Sequence, residues 1–176
     1  MIKTSDRHAV DPTTSGCGVV AATFESREAG SQALSAVTRG FPDQVGGAAL
    51  LLVASDGTPR IVDLWYWEGG REALMGGLAG IIGAPQVMSS AINSNALAVR
   101  LGDTGFDTTR FRALGAGLRP EEAAVILKVA DSAVPVVERL LGIYRAKVVV
   151  TDDLASGIGT LFTNEPPAWR YSKMAA

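Results

Sequence analysis

From Ala73 to Val99 the chain carries no charged side chain, and roughly 27 uncharged residues in one unbroken helix would be long enough to cross a bilayer. Pro85 stands inside this stretch. Proline removes a backbone donor and clashes with the preceding turn, so two shorter helices are expected, a helical hairpin within residues 70–100. The first arm carries Gly76, Gly80 and Ala84 at intervals of four, the small-residue spacing that lets helix backbones approach closely. The second arm holds Gln86, Ser89, Ser90, Asn93, Ser94 and Asn95, whose polar groups are costly to leave unpaired in lipid. The stretch is therefore expected to meet protein. Membrane association through Ala73 to Val99 is a possible but less favoured reading.

The segments on either side carry strand and helix patterns. Gly18–Phe24, Gly47–Ala54 and Ala123–Val129 are short apolar runs suited to strands buried on both faces. Arg60–Trp67 alternates and follows the turn sequence Ser55-Asp56-Gly57-Thr58-Pro59, so it is expected to pair with its predecessor as a hairpin. Lys147–Thr151 is the last strand. Ser26 is placed to cap a helix carrying Ala29, Ala33, Leu34 and Val37. Asp107 is placed to cap another, with Phe106 and Phe111 at the spacing of a hydrophobic staple and Phe111, Leu114 and Leu118 on one face. Asp131 is expected to cap a last helix whose inner face is Val136, Val137, Leu140, Leu141 and Tyr144.

Two strand–helix–strand units flanking a central insertion make an α+β, ferredoxin-like sandwich with an inserted Gly-rich helical hairpin. Its helices are expected on one face of a mixed sheet. The other face would be left for a partner sheet or another subunit to cover, so a homo-oligomer is expected. Residues 1–17 read as a polar lead-in, 18–154 as the body and 155–176 as an irregular C-terminal arm.

Composition narrows the chemistry. Sixteen basic against eighteen acidic side chains give a net charge of −2, which argues against nucleic acid as a partner, because phosphate binding rests on Lys and Arg. One Cys and one His exclude an internal disulfide, a Cys-rich zinc site and a multi-histidine site. No metal and no cofactor are implied. His8 lies in the polar lead-in, which lacks the apolar core of a signal peptide, so a cytoplasmic protein is expected. Cys17 is expected to be a small buried side chain. No catalytic residue emerges. Glu121-Glu122 and Asp152-Asp153 read as solvated turns.

Several pieces together look familiar: Gly76-Gly77-Leu78-Ala79-Gly80-Ile81-Ile82-Gly83, Gly105-Phe106-Asp107, Leu114 through Leu118-Arg119-Pro120, Ala124-Val125-Ile126-Leu127 and Lys147-Val148-Val149-Val150-Thr151. The array resembles a bacterial family of unknown function, ferredoxin-like proteins with a glycine-rich helical hairpin that are often labelled uncharacterised membrane proteins. The chain departs from that pattern at Glu121-Glu122, where the family tends to have Gly and Ser, and in its more polar second arm. The resemblance supplies no catalytic residues.

Three surfaces are candidates for function. Gly76, Gly80 and Ala84 would mediate helix contacts with another subunit or partner. Trp65 and Trp67, with Arg71 close by, would pack a subunit or line a small-molecule pocket, Arg71 anchoring an anionic group. The arm segment Ser156–Phe162, with Ile158, Leu161 and Phe162, resembles the loading peptides of proteins packaged into encapsulin shells. An arm lying over a neighbouring subunit is the preferred reading. The leading expectation is a non-enzymatic assembly protein, with a small-molecule-binding or enzymatic dimer as the alternative.

Overall fold

The computed structural model describes residues 16–66, 72–83 and 94–154. In chain order the elements are β1 (Cys17–Phe24), α1 (Arg27–Gly40), β2 (Val45–Val53), β3 (Pro59–Tyr66), α2 (Glu72–Gly83), α3 (Ser94–Asp103), α4 (Thr108–Ala116), β4 (Ala123–Ala130), α5 (Val134–Ile143) and β5 (Val148–Leu154). The strands form one five-stranded sheet in the order β3-β2-β4-β1-β5.

Local chemistry accounts for most of these boundaries. The Ser26 side chain accepts a hydrogen bond from the Ala29 N–H and starts α1. Asp107 does the same for the Arg110 N–H at α4, while the Phe106 and Phe111 rings stack with centroids 4.8 Å apart across that cap. Between β2 and β3, Asp56 accepts from the Thr58 N–H, and Gly57 at φ 82° takes the left-handed turn position that a side chain would disfavour. The hairpin pairs Gly47 with Tyr66 through Val53 with Pro59, with a bulge between Leu50 and Leu51.

Two strand–helix–strand units interleave. β4 lies between β1 and β2, and β1 lies between β4 and β5. Every neighbouring pair is antiparallel, so the sheet is not mixed. The parallel strands of each unit are separated by a strand of the other unit.

Side chains alternate across the sheet into two cores. On one face Val20, Ala22, Phe24, Leu50, Val125 and Leu127 pack under α1 and α5. On the opposite face Val19, Ala21, Leu51, Ile126 and Val150 pack under α2, α3 and α4. The expectation of a bare face awaiting a second subunit is therefore corrected. α2, from the first arm of the uncharged stretch, covers that face, because Leu74, Met75, Leu78, Ala79, Ile81 and Ile82 find their apolar surroundings in the same molecule. Every position from Leu74 to Gly83 is buried, the pattern of a helix apolar on all sides.

The segment 70–100 contributes the separate helices α2 and α3, with residues 84–93 outside the described part. No helix among the described residues is long and apolar enough to cross a membrane.

The last helix departs from expectation. Residues Asp131–Ala133 form a single 3₁₀ turn, and α5 starts at Val134 with Ala133 at its cap and no side-chain cap bond. Pro135, in the first turn of α5, suits a start there. Val137 and Leu141 point inward, but Val136 does not belong to the inner face.

Candidate functional site

The expected site residues divide three ways. Gly76 and Gly80 lie on α2 and are buried within the chain, so the surface they would offer to another subunit is already occupied. Trp65 lies on β3, paired with Ala48 on β2. Trp67, Arg71, Ala84, Ile158, Leu161, Phe162 and His8 lie outside the described residues.

A tight helix approach comes from a glycine that the sequence pattern does not single out. A Cβ built on Gly115 of α4 would stand 1.7 Å from the Ile82 carbonyl oxygen of α2. Only a hydrogen fits there, so Gly115 sets how closely α4 and α2 approach. The small-residue argument thus applies inside one chain, with a glycine of the facing helix taking part. Nothing in the Ala113-Leu114-Gly115 run singles this glycine out without knowledge of what faces it.

Among the described residues, Lys128 and Glu122 are charged side chains buried among apolar strands and loops. Lys128 is 5% exposed on β4, beside Val19 on β1 and Gly47 on β2. That same row continues from Gly47 to Tyr66 at the end of β3. Lys128 has interactions of its own, as a buried ammonium requires. A lysine inside the otherwise apolar run Ala123–Ala130 is the signal that points to it.

Glu122 is 8% exposed, which corrects the reading of Glu121-Glu122 as a solvated pair. It accepts hydrogen bonds from the Lys147 Nζ and from the Arg119 N–H. The Lys147 hydrogen bond first, and the Arg119 N–H second, hold the Glu122 carboxyl below its ordinary value against the opposing effect of burial. Glu121 takes φ 70°, a left-handed position unusual for a residue with a side chain. Its N–H donates to the Val53 carbonyl, while the Val53 N–H donates to the Glu122 carbonyl. The acidic pair is a clasp joining the end of β2, the start of β4 and the approach to β5.

At the opposite end of the sheet, Cys17 is only partly buried, packed against the core on the α2 side. Burial first, and then the Asp153 carboxylate, push the Asp131 carboxyl above its ordinary value. Asp152 accepts from the Asp107 N–H, and the Arg110 Nη1 donates to the Thr151 carbonyl at 3.2 Å. This covers part of the outer edge of β5, as natural edge strands require. Asp152 and Asp153 therefore belong to strand β5, not to a turn. No group of three or more potential metal ligands occurs among the described residues.

The remaining feature is apolar and exposed. Val136 and Ile143 on α5 are 37% and 70% exposed, with partly buried Leu140 between them. Positions i, i+4 and i+7 fall on one side of a helix, so the three form a stripe beside the inward row of Val137 and Leu141. Val99 on α3 and Val148 on β5 are also exposed, but they stand on other elements. By strand alternation Val148 lies on the side of Val150, away from α5.

No protein-family model, curated protein or solved structure matches the chain.

Proposed function

We propose that this chain is a non-enzymatic, self-associating protein with a ferredoxin-like body. In this reading it joins to copies of itself through the outer side of α5, with the Gly-rich α2 serving as internal packing. The ferredoxin-like assignment is supported by the interleaved order β2-β4-β1-β5 with α1 and α5 on one face. On this reading β3 and α2 to α4 form the insertion, and the likeness to the glycine-rich bacterial family concerns the same body.

The observation that carries the proposal is the Val136–Leu140–Ile143 stripe. A branched side chain left 70% in water, in line with two other apolar residues on a helix, costs nothing in the fold but gains on association. Light scattering and native mass spectrometry of the purified chain test it. A defined oligomer is expected, and Ile143→Glu is expected to give a folded monomer. A wild-type chain that stays monomeric up to high micromolar concentration would overturn the reading.

A second reading draws on Lys128. A buried cation in register with Gly47 and Tyr66 favours an anionic small molecule bound at that end of the sheet, the alternative for which Trp65, Trp67 and Arg71 are the sequence candidates. A co-purified anion seen by native mass spectrometry, and lost in Lys128→Met, would favour this alternative over assembly.

A further inference from the structure

The α5 stripe needs an occupant, and the direction of the chain suggests one. Cys17 pairs with Ala130 on one side and with Leu154 on the other. The end of β4 and the end of β5 therefore lie about 10 Å apart, two strand spacings, at one end of the sheet. α5 starts at that end, four residues after Ala130, and runs back along the sheet. β5 runs the opposite way and delivers the chain outward at Leu154. The next large apolar side chains in the sequence are Ile158, Leu161 and Phe162.

Lengths agree. Val136 to Ile143 spans about 10 Å along a helix axis, and Ile158 to Phe162 spans at most about 14 Å of extended chain. β5 ends at Leu154 heading away from Ile143, the exposed far end of the stripe, which favours a second copy as the occupant.

We propose that the Val136–Leu140–Ile143 stripe of α5 is the docking surface for the Ile158–Phe162 segment of a second copy of this chain. This inference rests on the self-association proposed above and names its contact. Each copy then gives one segment and receives one, or passes the exchange along a series, both arrangements open to identical chains. The recognition is apolar, in the manner of a short peptide laid against a helix face, with Leu161 and Phe162 as the larger anchors.

The experiment uses the full chain in three forms: wild type, Ile143→Glu, and Leu161→Glu with Phe162→Glu. Molecular mass is read by light scattering, with circular dichroism confirming the fold. Both variants are expected to fall to monomer mass, with association weakened at least 100-fold. If Ile143→Glu dissociates the assembly while the double variant keeps its mass, self-association stands and the segment docking is overturned. A monomeric wild type overturns both.

A second measurement decides between neighbour and self. In a Cys17→Ser background, chains carrying Ile143→Cys are mixed with chains carrying Leu161→Cys and oxidised. A disulfide joining the two kinds of chain is expected. A single chain carrying both cysteines that closes only on itself, with no joined product in the mixture, overturns docking on a second copy.

Discussion

The two faces of the sheet bury comparable strand residues but solve the packing problem differently. Under α1 and α5 the helices are amphipathic, each showing the sheet a limited row, such as Ala33, Leu34 and Val37 on α1. Under α2, α3 and α4 the layer has an inside of its own, because α2 is buried from Leu74 to Gly83 between the sheet and its helical neighbours. The first face ends in a surface with an apolar stripe left over. The second shows how a stretch that looks made for lipid or for another chain is used up at home.

The largest expected effect probes whether the α2–α4 layer is integral to the fold. Phe111→Ala removes a fully buried ring stacked on Phe106, and about 3–5 kcal/mol of stability should go with it. Leu141→Ala on the other face should cost about 2–5 kcal/mol. If the two faces are one cooperative unit, each variant melts in a single calorimetric transition. Two transitions in Phe111→Ala would show that the α2–α4 layer detaches by itself, and would break the picture of one shared core.

The next effect turns on glycine. Gly115→Ala places a Cβ against the Ile82 carbonyl, and about 3 kcal/mol of destabilisation is expected as α4 is pushed from α2. This reverses the usual gain from replacing a helical glycine by alanine. Denaturant midpoints measure it, and an unchanged midpoint would mean that the close approach is not held in solution.

A smaller effect is expected at the Glu122–Lys147 clasp. Glu122→Gln should cost about 1 kcal/mol, discounted because the Lys147 side chain is 36% exposed. The sign with pH follows from the depressed carboxyl. The clasp's contribution is fully present above the ordinary glutamate value of 4.5 and is lost as pH falls through the lower folded value. Wild type and variant should therefore converge in stability in acid. A difference that stays constant to pH 2 would remove the ion pair from the account.

The smallest effect returns to the first face. Gly142 on α5 has nothing within 4 Å of where a Cβ would stand, so Gly142→Ala should raise stability by about 0.5–1 kcal/mol. The same substitution thus takes opposite signs on the two faces. A loss at Gly142 in the assembled protein, and not in the Ile143→Glu monomer, would place the subunit contact over that position.

Much of the fold was legible along the chain. The buried runs, the Ser26 and Asp107 caps, the Asp56–Gly57 turn and the Phe106–Phe111 staple are local, decided by residues within a few positions of one another. The start of α5 falls later than the sequence pattern suggests, because Asp131 resembles a cap but lies in a 3₁₀ turn, and Pro135 suits the first turn of the helix. Apolar pattern puts Val136 with the inward residues, because pattern alone does not say which of two adjacent apolar rows meets the sheet. Glu122 and Gly115 were missed for one reason: each is defined by a partner distant in sequence, Lys147 in one case and Ile82 in the other.

Residue order alone determined where this chain turns, caps and hides its strands, because hydrogen-bonding reach and side-chain periodicity act over a few residues. It also required that the apolar run Leu74–Gly83 leave water. Tertiary structure decided what receives that segment, because burial is satisfied by any apolar surface of the right shape and only the assembled sheet reveals which one is within reach.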